Sequence, residues 1–315
     1  MNVPRISASS YSNTAPLIWS FLYGSMHGSV EIILDNAPAR SAELLAQDRV
    51  DAALVPVIAY QMLSDVRLIP AVCVGAKERV RSFGLITRGM DLEDVRSVSL
   101  DTSSKTSVVL TKILFREFLG FDPEWRDAPP NLETMLDETD CALLIGDPAL
   151  GIADSANAER GTRNAEFDPA FSSVAPVRLV GAAANEATFD DTQVVNNNSA
   201  LRIPHSAFRK FDLAELWNRH TGLGFVFAMW MTRRKDCRVD FAAARDEGMR
   251  HIPEIAANYE PEIGLTLSQM TRYLSECISY SVDESMQRGM ELYFELASKC
   301  RLIETDKPIR YLELE

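Results

Sequence analysis

The sequence predicts an α/β protein of two lobes, each a mainly parallel sheet flanked by helices, with a ligand cleft between the lobes. Three observations predict it. Short apolar runs alternate with helical patterns through the first half of the chain. Two segments open alike, with a strand, a hydroxyl-rich loop and then a helix. Finally, 315 residues with 46% hydrophobic content suffice for two cores, at roughly 150 residues per domain.

The first set of elements has expected strands at 3–8, 30–34, 51–55, 69–74 and 82–87, with helices near 15–23, 39–47 and 57–63. Between the first strand and its helix stand Ser9, Ser10, Tyr11, Ser12, Asn13 and Thr14. Thr14 is placed to cap that helix, and Pro16 suits its first turn, where a missing N–H costs nothing. A second set begins at Arg96, with a strand at 97–100, a loop from Asp101 to Ser107 and a helix over 106–119. The buried run Cys141 to Ile145 then ends in Gly146-Asp147-Pro148.

Residues 151–204 break this rhythm. They are rich in Ala, Asn, Asp and Gly, with Val177 to Val180 the single possible strand, and read as an extra surface excursion. Beyond them an apolar strand over 221–230 runs into Arg233-Arg234-Lys235. Three amphipathic helices follow, near 239–257, 266–279 and 283–300, and a short strand at 308–312 closes the pattern. The expected organisation is a discontinuous first lobe, 1–90 and 222–315, and a second lobe, 91–221, that carries the excursion.

A net charge of −13 and a pI near 4.9, without clustered Lys and Arg, exclude a nucleic-acid surface. An anionic ligand would therefore need local donors, such as helix N-termini. No apolar run approaches the ~20 residues that span a bilayer, and the first residues lack the features of a signal peptide. No membrane association is predicted, and the expected location is cytoplasmic. Five widely spaced cysteines, an odd number, suit reduced core thiols better than disulfides. His27, His205, His220 and His251 stand alone in sequence, so no metal is expected. The Gly-x-Ser-x-Gly, Walker, His-Glu-x-x-His and Cys-x-x-Cys patterns are all missing.

Segment 101–107 is the strongest candidate site read from residues alone. Its hydroxyls and the free N–H groups at the start of the next helix would hold a carboxylate or phosphate. The same residues serve equally well as a cap and a turn. Asn13 carries the same two readings. Asp147 is a candidate general base, yet its place before Pro148 makes it a helix cap first.

Taken together, Ser12 to Leu17, Val50 to Val57, Ser103 to Ser107, Leu144 to Leu150, Asp212 to Trp217, Thr221-Gly222-Leu223 and Phe225 to Trp230 resemble chorismate dehydratase of the futalosine pathway of menaquinone biosynthesis. The motifs occur in that family's order and cover most of the chain outside 151–204. The resemblance implies a type II periplasmic-binding-protein-like fold and a carbon–oxygen lyase. It implies that chorismate loses its C4 hydroxyl and C3 hydrogen as water, giving 3-[(1-carboxyvinyl)oxy]benzoate, with no cofactor and no metal. It implies Asn13 as a polar contact at the reacting hydroxyl and Ser82 as a second catalytic hydroxyl. Ser104, Thr106 and Ser107 would cradle a carboxylate, while Gly146 and Asp147 would line the opposite edge, Gly146 allowing close backbone approach. The substrate's enolpyruvyl carboxylate would act as base.

The chain departs from that family in its long connection over 151–204 and at Gly224, where relatives usually have proline. Two alternatives stay open. The sister enzyme 1,4-dihydroxy-6-naphthoate synthase shares the fold, although its loop is expected to be richer in glycine and threonine. A non-catalytic cytoplasmic solute-binding or sensor protein would need the two lobes alone.

Overall fold

In each of the two sheets a single strand runs against the other four. The computed structural model describes residues 3–152, 208–304 and 306–313. The first sheet contains β1 (Arg5–Ser9), β2 (Glu31–Asp35), β3 (Ala52–Pro56), β4 (Arg67–Ala76) and β10 (Phe225–Thr232), in the order β2-β1-β3-β10-β4. The second contains β5 (Phe83–Thr87), β6 (Ser97–Asp101), β7 (Glu124–Ala128), β8 (Cys141–Ile145) and β9 (Arg209–Asp212), in the order β7-β6-β8-β5-β9. Pairings β1–β2, β1–β3, β6–β7 and β6–β8 are parallel, whereas β10 and β5 pair antiparallel with both neighbours.

The reversed strand of each sheet is the one entered from the other sheet. The chain leaves the first sheet after β4 and enters the second as β5; it leaves the second after β9 and returns as β10. This corrects one expectation: strand 82–87, counted with the first lobe, belongs to the second sheet. An apolar run buried on both faces reads alike in either sheet, so its sequence does not choose between them. In this strand Leu85 joins the main core with Leu143 and Ile145, while Ile86 packs on the other face with Ala142 and Leu144, as a period of two requires.

Elements that the sequence pattern does not show are β7, β9 and the helix Leu132–Glu138. Both strands lie at sheet edges and are rich in charged or half-buried residues, which hides the apolar signal. The helix expected over 239–257 is two, Phe241–Arg250 and Ile252–Ile263, broken at His251 just before Pro253. Those over 106–119 and 266–279 begin as α-helix (Lys105–Ile113, Leu267–Arg272) and end as π-helix (Leu114–Leu119, Tyr273–Cys277). The terminal strand reduces to a bridge between Tyr311 and Leu68. The possible strand 177–180 and most of the 151–204 excursion lie outside the described residues.

Helix Phe241–Arg250 docks on helix Ala15–Leu22 at Gly248, where a Cβ would stand 1.9 Å from the Pro16 carbonyl oxygen. Gly224 has a comparable constraint. Its N–H donates to the Ser285 hydroxyl at 3.0 Å, and a Cβ would meet Met286 Cγ at 2.6 Å. Proline at 224 would lose that donor and crowd that methionine, so the departure from the family's usual residue matches its surroundings.

The two passages between the sheets meet at one carboxylate. Asp212 ends β9 and caps helix Leu213–Thr221, accepting from Ala214 N at 3.0 Å and Glu215 N at 3.1 Å. It also accepts from Val80 N at 3.1 Å and Arg81 N at 2.5 Å, in the link from β4 to β5. Arg81 stands at φ 66°, a left-handed conformation costly for a residue with a Cβ, and the Asp212 bonds help hold it there.

Candidate functional site

Strands β1 and β8 end opposite one another. After Ser9 the chain passes through a 3-10 turn, Ser12–Thr14, into helix Ala15–Leu22, with Pro16 in its first turn. After Ile145 it turns at Gly146, φ +65°, into the short helix Gly146–Leu150. The Ser12 N–H donates to both Asp147 oxygens, at 3.2 and 3.1 Å, and the Ser12 hydroxyl donates to Oδ1. Asp147 therefore does not cap its own helix, whose N-cap residue is Ile145 without a side-chain bond. It caps a turn of the opposite lobe instead. No short-range pattern could show that, because the donor is 135 residues away.

Tyr11 closes the same edge. A Cβ at Gly146 would lie 2.8 Å from Tyr11 Cδ2 and Cε2, so the ring rests directly on the glycine backbone. The Tyr11 hydroxyl stands beside Ser103, in the 101–107 loop, and near Asp101 and Asp147. Asp101 is fully buried; one carboxylate oxygen accepts from Ser103 N at 2.9 Å and Ser103 Oγ at 2.6 Å, while the other makes no bond of good geometry although the Ile145 N–H faces the carboxylate. Burial pushes the Asp101 carboxyl above the usual carboxylate range, with the Ser103 bonds pulling back. Burial also raises Asp147, against the bonds from Ser12 and with a further push from Glu262. Two carboxyls biased toward neutrality repel an incoming anion less than two ordinary ones would.

The three residues expected to cradle a carboxylate are used differently. The Ser104 oxygen caps helix Lys105–Ile113, accepting from Ser107 N at 3.3 Å. The Thr106 hydroxyl accepts from Ile58 N at 3.3 Å, tying the helix to the end of the first sheet, and its carbonyl accepts from Tyr293 OH at 3.0 Å. The Ser107 hydroxyl is fully buried and has no partner. Capping and a free donor thus coexist in this segment, one serine serving each.

Asn13 and Ser82 come together from separate lobes and are 3% and 0% exposed. Asn13 Oδ1 accepts from the Thr14 hydroxyl at 3.3 Å, and that hydroxyl pairs with Ser9 at 2.8 Å. Thr14 therefore supports Asn13 rather than capping its helix with its side chain. Ser82 Oγ is buried without a hydrogen bond of good geometry, and the hydroxyl of Tyr273, from the π-helix near the end of the chain, faces both residues within looser hydrogen-bonding range. Tyr11 and Tyr273 are not among the site residues expected from sequence, and Asp101 is covered there only as the first residue of the 101–107 segment, with no role of its own. Asp101 sits visibly in the hydroxyl-rich loop, whereas Tyr273 looks like one more apolar position on an amphipathic helix.

Two of the three described histidines pack on aromatic rings: His220 stacks on Phe118 at 4.6 Å, and His251 on Trp19 at 3.7 Å, facing Glu254. Among the described residues no helix is long and apolar enough to cross a membrane.

Comparison with known proteins adds family, relative and fold. A sequence family described as menaquinone biosynthesis matches residues 4–168 and 176–299. A protein of Thermus thermophilus named chorismate dehydratase is 27% identical over 291 residues, covering 90% of this chain and 92% of that one. Among solved structures, protein AF1704 of Archaeoglobus fulgidus superposes with a TM-score of 0.65 at 15% identity, covering 95% of this chain and 98% of that one. The Candida albicans CA3427 gene product, described as having the generic periplasmic binding protein fold, superposes at 0.60 with 8% identity, covering 100% and 99%. The two-lobed architecture read from the sequence is therefore the periplasmic-binding-protein fold.

Proposed function

The chain belongs to the menaquinone biosynthesis family, and from that premise we propose that it is a hydro-lyase converting chorismate to 3-[(1-carboxyvinyl)oxy]benzoate and water. The observation that carries this reading is the similarity, over 90% of the chain, to a protein named chorismate dehydratase. The site chemistry supports it. Chorismate brings two carboxylates and a leaving hydroxyl, so it needs donors on fixed elements more than it needs a protein base. Ser107 and Ser82 offer buried hydroxyls without hydrogen bonds of good geometry, and Asn13 offers a buried amide from the turn after β1.

Loss of the C3 hydrogen and the C4 hydroxyl aromatises the ring, which drives the reaction forward. The C3 hydrogen is acidified by conjugation to the ring carboxylate, and the enolpyruvyl carboxylate takes it as a proton. The protein's part is to hold the two carboxylates, exclude water and stabilise the departing hydroxide. Asn13 and Ser82 act at that oxygen; Ser107 holds a carboxylate at the helix start that Ser104 and Thr106 position; Gly146 and Asp147 keep the opposite edge closed.

The test is to incubate purified protein with chorismate, without added cofactor and with a chelator, and to follow the aromatic product by absorbance and chromatography. Formation of 3-[(1-carboxyvinyl)oxy]benzoate supports the reading. Tight chorismate binding without conversion would replace it with a sensor.

A further inference from the structure

We propose that the Tyr273 hydroxyl is a catalytic donor which, together with Ser82 and Asn13, binds the ligand oxygen that leaves as hydroxide; this rests on the chorismate reading above.

Tyr273 comes from the first turn of the π-helix Tyr273–Cys277, a long way in sequence from every motif that marks the cleft. Its side chain is fully buried, and its hydroxyl makes no hydrogen bond of good geometry within the chain, although it faces the Ser82 hydroxyl and the Asn13 amide within looser hydrogen-bonding range, with Asp147 nearby. Two adjacent buried hydroxyls without well-formed hydrogen bonds are uncommon in a folded chain, because each has given up its bonds to water without full replacement. A packing role alone would be served better by phenylalanine at this position. An oxygen atom placed among the three groups would satisfy both hydroxyls at once.

Three elements supply these donors. Asn13 comes from the turn after β1, Ser82 from the link into β5, and Tyr273 from the π-helix, a distortion often found at functional sites. None of the three is placed by its neighbours in sequence, so the convergence is a product of the fold. Burial pushes the Tyr273 hydroxyl well above the usual tyrosine range, so it stays protonated and acts as a neutral donor.

The step balances without a proton from tyrosine. The C3 proton passes to the enolpyruvyl carboxylate, and the C3–H electron pair becomes a ring bond. The C4–O bond breaks with its pair to give hydroxide, which takes that proton back from the carboxyl group and leaves as water. Tyr273 shortens its hydrogen bond as charge develops on that oxygen, the pattern that lowers a barrier without tightening ground-state binding.

The experiment compares the wild type, Tyr273→Phe and Tyr280→Phe by steady-state kinetics with chorismate and by thermal melt. Tyr280 is the control: its hydroxyl is also buried without a partner, but it lies against Tyr273, Cys73 and Tyr259. For Tyr273→Phe, kcat should fall about 10²–10³-fold, the usual result of removing one such donor, with KM little changed. Its melting temperature should equal or exceed that of the wild type, because a buried orphan hydroxyl is removed. Tyr280→Phe should keep full activity.

A Tyr273→Phe enzyme with unchanged kcat, or one in which only KM rises, overturns the role. So does a melting temperature several degrees lower, which would show that the hydroxyl is bonded within the protein. A wild type that leaves chorismate unchanged overturns the functional reading, and the role of Tyr273 with it, whereas an active wild type beside an equally active variant overturns Tyr273 alone.

Discussion

Replacing Asp147 with Asn separates a proton-abstracting carboxylate from one that holds two lobes together. Asn keeps one oxygen acceptor for Ser12, whose N–H lies 3.1–3.2 Å from both carboxylate oxygens and whose hydroxyl also donates. A hydrogen bond to a charged group is worth about 1.5–3 kcal/mol and a neutral one about 0.5–1.5. Two donors moved from one class to the other cost roughly 2 kcal/mol, or about 30-fold if all of it were felt in the rate. Working against that loss, the variant no longer buries a charge. The raised pKa of Asp147 says that the charged form is less favourable here than in water, so the variant regains part of the roughly 2 kcal/mol. The rate constant for aromatic product should therefore fall less than about 30-fold, whereas a true general base contributes about 10²–10⁴-fold.

The sign of the pH effect provides a second check. A carboxyl raised in the folded state contributes stability that is complete below its unfolded value, about 3.9, and is lost as pH rises through the folded value. Asn does not titrate. The melting temperature of Asp147→Asn relative to the wild type should thus improve from about pH 4 upward. A loss of about 10³-fold or more, in a variant with an unaltered melt, would make Asp147 the base and refute the latch.

Asn13→Ala should cost more than Asp147→Asn, about 10²-fold or more in kcat, because its contact strengthens as the leaving oxygen gains charge; kinetics on both variants rank them. Gly146→Ala forces a Cβ into a φ of +65° and to 2.8 Å from the Tyr11 ring, a combined cost of about 2–4 kcal/mol. A clear drop in melting temperature, partly reversed in the double variant with Tyr11→Ala, is the expected result. Glu247, held at about 2 by the hydroxyls of Ser20 and Ser25 and the Ser25 N–H, contributes stability that is present above the ordinary glutamate value and lost as pH falls toward 2. Glu247→Gln should flatten that acid limb when melting temperature is followed against pH.

What the sequence makes legible follows from range. Strands buried on both faces, such as β3 and β8, announce themselves by continuous apolar runs. The helix start near Lys105 is equally plain, because capping is written within a few residues. Edge strands β7 and β9 are invisible, since half of each faces outward and their charges look like loop. Sheet membership of β5 depends on which neighbours the fold supplies. The same divide runs through the site. Ser104, Ser107 and Asn13 stand in recognisable local patterns, whereas the bond from Ser12 to Asp147 spans 135 residues and the neighbours of Tyr273 are set by tertiary packing alone.

Asp212 takes on a mechanical meaning once the lobes are pictured in motion. Both passages between the sheets are tied to this one side chain, which grips the backbone at Val80 and Arg81 on the outward passage and at Ala214 and Glu215 on the return. Two independent hinges would let the lobes slide, twist and swing. Tied at one point, the two passages cannot shift independently, and Ser82, next along the chain from Arg81, is held in step with the return passage. Asp212, outside the candidate site, would thus set the position of a residue within it.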